Sequence, residues 1–356
     1  MGESGVVETL GWAAQDKSGH LAPFKFTRRA TGPHDVKMKV TYCGICHSDL
    51  HQIRNDWRGS VFPMVPGHEV VGVVKEVGSE VDDFKVGQLI GVGCMVHSCH
   101  SCESCDNGLE QFCPKVVWTY NSVDTDGTPT YGGYSGELVC NRKFVLRMPE
   151  NLPPDAAAPL LCAGITVYSP MKHFGMTEKG KSFGLVGLGG LGHMAVKFAK
   201  AFGLKVTIFS TSPAKEKEAR GILGADEFIL STDKEKMKAA EKTIDYIIDT
   251  VSAVHSLDDY LALLKTNGKI ILVGVPESPL QLSPTSVIFG RRFVGGSLIG
   301  GVAETQEMLD FCGKNNITCM IEKIPMSYVN TAMERLQKND VKYRFVIDIE
   351  NTLTSE

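Results

Sequence analysis

Cys99, Cys102, Cys105 and Cys113 follow one another in a C-x2-C-x2-C-x7-C pattern near the first third of this 356-residue chain. Four thiolates packed into so short a stretch suit one tetrahedral ion, and Zn2+ is the usual occupant of a closed sulfur site. Four protein ligands leave no open coordination position. An ion held here therefore braces the fold, and chemistry has to be sought elsewhere.

Eleven cysteines in all invite a disulfide reading. Against it stand the metal-type spacing, the length of the chain, and an N-terminal MGESGVVETLGWAAQDKSGH without a basic stretch followed by an apolar core. These features favour a reducing cytoplasm with thiolates on metal. Val6 stands where a myristoylation signal needs Ser or Thr. No run of about 18 apolar residues occurs, so nothing is expected to span a membrane. The net charge of −4 argues against a nucleic-acid partner. A 43% hydrophobic, 22% charged composition is that of a soluble globular protein long enough for two domains.

The grammar of the chain changes near Pro153. Residues 1–160 hold short β-type runs broken by Gly and Pro, such as Val36–Val40 and Val70–Val77, and read as a β-rich, partly barrel-like domain. Residues 117–133 are polar and loop-like. Beyond Pro153, strands at Ser182–Val186, Lys205–Phe209, Glu227–Leu230, Tyr246–Asp249 and Lys269–Val273 alternate with helical stretches at Gly192–Phe202 and Pro213–Leu223. That alternation implies βαβ units and a doubly wound parallel sheet. The tail reads as a helix at Glu304–Lys314, a strand at Glu322–Ile324, a helix to Lys338 with Ser327 as N-cap, and a strand at Lys342–Ile349.

Gly187-Leu188-Gly189-Gly190-Leu191-Gly192 is G-x-G-x-x-G between a strand and a helix. The glycines permit a tight turn, and the helix start offers free N–H groups to a pyrophosphate. A Gly-rich turn in any βαβ unit would match the same pattern, but the strand–turn–helix–strand context favours a dinucleotide. At the end of the next strand an NAD site carries Asp or Glu for the ribose 2′-OH. Here Ser210-Thr211-Ser212 stands instead, with Lys215 nearby, so NADP(H) is the expected cofactor.

Cys46, His68, Glu69 and Cys162 form a second, scattered set of metal-type side chains. Singly, Cys162 in its apolar run reads as a packed thiol and His68 as a loop histidine. Spacing alone does not assemble them. The combination of G-H-E-x-x-G from Gly67, the four-cysteine lobe, Leu161-Cys162-Ala163-Gly164 and G-L-G-G-L-G in this order resembles the zinc-dependent medium-chain dehydrogenase/reductase family, and within it the plant cinnamyl-alcohol-dehydrogenase-like branch. The resemblance runs from Cys43 to Val346.

It implies a GroES-like catalytic domain over 1–160 with a zinc lobe at 94–115, a Rossmann domain over 161–297, and a return to the first domain over 298–356. It implies a catalytic Zn2+ on Cys46, His68 and Cys162 with Glu69 beside it, a structural Zn2+ on the four-cysteine lobe, and a homodimer. Ser48 and His51 match proton-relay positions, and His47 a position near the pyrophosphate. Trp118 resembles the aromatic wall of the substrate pocket, with Trp57 expected in the same cleft. Leu298 stands where lignin-forming members tend to carry Phe, leaving room for bulkier terpenoid or alkaloid substrates. Cys43, Cys94, Cys140, Cys312 and Cys319 are expected to be buried free thiols. The implied activity is zinc- and NADPH-dependent reduction of an aldehyde to a primary alcohol. Alternatives are reduction of an alkaloid iminium or an enal, and a nucleotide-binding protein without turnover.

Overall fold

The structure, a computed structural model, describes residues 7–355. The chain divides into two compact units: one runs to Cys162 and resumes at Gly300, the other is Ala163–Ile299.

The first unit is built on a seven-stranded sheet. Along it lie Ile321–Pro325, Arg344–Asp348, Asp35–Ile45, Val70–Val77, Leu89–Val92 and Val145–Arg147, with Glu137–Asn141 also pairing Asp35–Ile45. All neighbours are antiparallel except Ile321–Pro325 and Arg344–Asp348. The long strand Asp35–Ile45 takes partners from both ends of the sequence. Its register shifts at Lys37/Met38 and Val40/Tyr42 mark irregularities that bend a strand and re-aim its side chains. Val36, Met38, Val40, Ile45, Ile90 and Phe345 are buried in the core of this unit. A separate hairpin pairs Val7–Ala14 with Leu21–Arg28.

The second unit carries a six-stranded sheet that is parallel throughout. Its order is Glu227–Leu230, Lys205–Ser210, Ser182–Val186, Ile244–Asp249, Leu264–Leu272, Phe293–Gly296. In chain order this is 3-2-1-4-5-6, the doubly wound arrangement. Its switch point lies between the carboxyl ends of Ser182–Val186 and Ile244–Asp249, where ligands bind in such sheets. The central strand is an apolar run because both faces are covered; Phe183, Leu185 and Val186 are buried. Helix Gly190–Ala201 buries Met194, Ala195, Phe198 and Ala199 on its inner side.

Several boundaries differ from the sequence expectations. The helix after the glycine turn opens at Gly190, because the turn residues themselves supply its first N–H groups. The stretch from Pro213 splits into a 3-10 turn, Pro213–Lys215, and a short helix, Glu216–Gly221. Ser327 is no N-cap: it sits inside a 3-10 turn, Met326–Tyr328, and helix Val329–Gln337 starts after Tyr328. Helices Ala163–His173, Lys234–Ala239 and Leu257–Leu263 carry no expectation above.

Candidate active site

Cys46 ends the bend after strand Asp35–Ile45 and caps helix His47–Ile53. Asp49, at the third helical position, accepts the Cys46 backbone N–H at 2.9 Å. A carboxylate in the first turn also suits the helix dipole. Leu50 and Ile53 bury the other side of this short helix. His68 and Glu69 lie immediately before strand Val70–Val77, and Cys162 follows the 3-10 turn Ala158–Leu161.

These separate positions converge. One ligand atom each from Cys46, His68, Glu69 and Cys162 lie within 4.8 Å of one another, and all four residues are buried. The Cys46 and Cys162 sulfurs are 4.0 Å apart. Two cysteine sulfurs, an imidazole and a carboxylate form a donor set that fits Zn2+. The His68 ring gives Nδ1 to Asp49 Oδ1 at 3.0 Å, leaving Nε2 as the metal-type donor.

Burial and close contact shift all four groups. The Cys162 thiol hydrogen-bonded to Cys46, reinforced by the Arg344 guanidinium, holds the Cys46 thiol well below its usual range, while Cys162 is raised by the same pair. Burial disfavours a charged ring at His68, but the Asp49 carboxylate overrides it and pulls His68 up. Burial raises the Glu69 carboxyl to about 7 against the pull of Arg344. Glu69 Oε1 accepts from Arg344 Nη2 in a fully buried ion pair, and Glu69 Oε2 is a buried oxygen with no hydrogen-bond partner. An orphaned buried carboxylate oxygen is costly unless a cation satisfies it.

Arg344 and Asp49 carry no signal in the local pattern of the sequence. Arg344 stands at the head of an otherwise apolar strand, and Asp49 follows the metal-type cysteine by three residues. Those placements are the traces each leaves. Gly44 is a third such residue: a Cβ built there would overlap Glu69 Oε2, so only glycine lets the carboxylate in. Cys94 is half-buried, not buried as expected, and its thiol adds to the raising of Cys162.

Around this cluster, Ser48 Oγ is 3.6 Å from Cys46 Sγ. His51 Nδ1 meets Asp56 Oδ2 at 2.9 Å, and the His51 ring stacks on Trp57 at 5.0 Å between centroids. Trp57 is 40% exposed. Trp118 lies in the short strand Val117–Trp118, opposite Met95. Leu298 is exposed and belongs to the other unit.

The four-cysteine lobe forms a second cluster, its sulfurs again within 4.8 Å of one another. Cys113 Sγ accepts the N–H groups of Cys99 at 3.4 Å and Lys115 at 3.3 Å, and the Ser101 N–H helps hold Cys99 down to about 6. Backbone donors aimed at sulfur favour thiolates, the form a metal needs.

In the second unit, Gly187 adopts φ +86°, and a Cβ on Gly192 would strike the Gly187 carbonyl oxygen. A Cβ at Gly189 would meet nothing within 4 Å. Gly189 caps helix Gly190–Ala201, so the turn leaves open space in front of a helix N-terminus, the cradle a pyrophosphate needs. Lys215 Nζ donates to the Leu188 carbonyl at 2.6 Å, which ties the lysine to that turn, and burial lowers its pKa. Ser210 is buried at the strand end, with Oγ accepting the Ser212 N–H at 3.2 Å; Thr211 is exposed.

Known proteins match this architecture. Residues 32–150 match the alcohol dehydrogenase GroES-like domain, and residues 190–314 match the zinc-binding dehydrogenase family. 8-Hydroxygeraniol dehydrogenase of Catharanthus roseus is 60% identical over 349 residues, covering 98% of this chain and 97% of its own. A cinnamyl alcohol dehydrogenase from Sorghum bicolor superposes with a TM-score of 0.96 at 55% identity, over 98% of this chain and 99% of that one. A cinnamyl alcohol dehydrogenase from Helicobacter pylori, solved with NADP(H), gives 0.91 at 42% identity, over 98% and 100%.

Proposed function

Because the chain belongs to the zinc-binding alcohol dehydrogenases of the cinnamyl-alcohol-dehydrogenase-like type, we propose that it interconverts an aldehyde and a primary alcohol with NADP(H) and a catalytic Zn2+. The substrate class is a phenylpropanoid, terpenoid or alkaloid aldehyde. The observation that carries this reading is the convergence of Cys46, His68, Glu69 and Cys162 within 4.8 Å.

A zinc ion on Cys46, His68 and Cys162 would supply Lewis acidity toward a carbonyl oxygen, and NADPH would supply the hydride. The chain's own residues do the rest. Asp49 sets the His68 tautomer. Glu69 and Arg344 balance charge beneath the thiolates. Ser48, beside Cys46, gives its hydroxyl proton to the substrate oxygen after hydride arrives. His51 replenishes it, with Asp56 on Nδ1 fixing the tautomer that leaves Nε2 for proton traffic. Hydroxyls at 210–212 and the Lys215 ammonium favour a ribose 2′-phosphate, since no carboxylate stands there to repel it. The two clusters support a reading with two zincs of separate duties, and thiols kept for metal are in keeping with a cytoplasmic protein.

Elemental analysis should give about two Zn2+ per chain. NADPH oxidation against cinnamaldehydes, terpene aldehydes and indole-alkaloid aldehydes or iminium ions should show aldehyde turnover that Cys162→Ser abolishes, with about one zinc retained. Aldehyde turnover in that variant, or turnover of iminium ions alone, would overturn the assignment. Equal affinity for NADH and NADPH by fluorescence titration would overturn the cofactor choice.

A further inference from the structure

Asp49 is fully buried, and its carboxylate accepts hydrogen bonds on both oxygens. Oδ1 takes His68 Nδ1 at 3.0 Å and the Gly67 N–H at 3.1 Å. Oδ2 takes the Cys46 N–H at 2.9 Å and the Tyr134 hydroxyl at 3.3 Å. Two of the donors are backbone N–H groups, of Cys46 itself and of Gly67 before His68, and a third is the His68 ring. The fourth, the Tyr134 hydroxyl, comes from 85 residues further along the chain.

Tyr134 is held as firmly as the group it serves. The segment 132–134 runs against 65–67, with Gly132 N to Val65 O at 2.7 Å, Gly133 N to Gly67 O at 2.9 Å and Tyr134 N to Pro66 O at 3.0 Å. The Tyr134 carbonyl accepts the Trp12 N–H at 2.9 Å. A Cβ on Gly67 would lie 2.6 Å from Tyr134 Cδ1, so the ring packs flush on the residue that precedes His68. The buried Arg28 guanidinium braces this segment, donating to the carbonyls of Tyr131, Gly132 and Glu137 and to Ser135 Oγ.

We propose that Tyr134 is a positioning residue of the catalytic metal site, holding Asp49 Oδ2 so that Oδ1 stays on His68 Nδ1 and Nε2 stays aimed at the metal. The inference rests on the zinc reading above and deepens it. A carboxylate can turn about its Cβ–Cγ bond. Donors on both oxygens stop that rotation; the Tyr134 phenol is a side-chain donor on Oδ2, and the buried Tyr120 phenol also hydrogen-bonds this carboxylate. Groups that orient a ligating histidine from behind govern metal affinity about as strongly as 10–100-fold per partner.

Tyr134→Phe removes one oxygen and keeps the ring in place. Competition with a chromophoric chelator should show one of the two zincs binding about 10-fold more weakly in Y134F. The zinc of the four-cysteine lobe and the unfolding midpoint should be unchanged. With Co2+ replacing the catalytic zinc, the visible d–d bands should shift, a signature that loss of packing alone would not produce. In an Asp49→Asn background Tyr134→Phe should add nothing; should Asp49→Asn not fold, the cobalt spectrum of Y134F decides. A Y134F protein with wild-type zinc affinity and cobalt spectrum overturns the inference and leaves the functional reading standing. An undiminished effect of Y134F in the Asp49→Asn background also overturns it, since the phenol would then act by another route. A wild-type protein that takes up no second zinc overturns both.

Discussion

Glu69 and Arg344 make the cluster a charge-balanced assembly. The guanidinium is 3% exposed and the carboxylate fully buried, so neither partner has water to fall back on. Arg344→Met keeps much of the side-chain volume but strands a buried acid. It should lower the unfolding free energy by roughly 3–5 kcal/mol, read as a shift in the urea midpoint at constant m-value. Gly44 constrains the same acid from the other side. At this scale Cys162 reads singly as a packed thiol and His68 as a loop histidine; Cys46, His68, Glu69 and Cys162 were legible only in combination, through the resemblance their motifs carry. Arg344, Asp49 and Gly44 were not. Their roles exist only once residues separated by as many as 275 positions are packed together, and no local pattern encodes a neighbour.

Elements show a similar division. Val70–Val77, Ser182–Val186 and Glu227–Leu230 could be read to the residue, because apolar runs closed by turn residues define a buried strand. Short helices such as Lys234–Ala239 are mostly charged and take their stability from an Asp233 cap, a weak signal in sequence. The strand Ile244–Asp249 ends in a device of its own. His255 donates from both ring nitrogens, to Ala253 O at 2.8 Å and Asp249 Oδ2 at 2.7 Å. Two acceptors favour the doubly protonated ring, and the Asp249 hydrogen bond raises the His255 pKa above 6.5. A histidine raised on folding gives its stabilisation in full below the unfolded pKa of about 6.5 and loses it as pH climbs through the folded value. The urea-midpoint gap between wild type and His255→Gln should therefore be widest at about pH 5.5 and narrow in alkali. A gap that widens with rising pH would contradict the imidazolium.

At the scale of the molecule, the four-cysteine lobe reaches beyond its own loop. Glu110, between its third and fourth cysteines, accepts the Val302 N–H at 3.0 Å and so caps helix Val302–Asn315, while a Cβ on Gly301 would strike the Gly108 carbonyl oxygen. Cys113→Ser should cost about one zinc per chain and leave residues 99–115 open to limited proteolysis, with a lowered melting temperature. Retention of both zincs in that variant would contradict the lobe as a metal site. The two clusters also differ in when they can exist. The lobe's ligands leave the ribosome together, so its ion can be captured while most of the chain is unmade. The other cluster needs Arg344 to neutralise Glu69, and strand Arg344–Asp348 docks beside Asp35–Ile45 only after the whole inserted nucleotide unit has been synthesised. On the two-zinc reading, a nascent chain would acquire its brace early and its reactive centre among its last acts, so an ion loaded during translation would be committed to architecture long before one could be committed to catalysis.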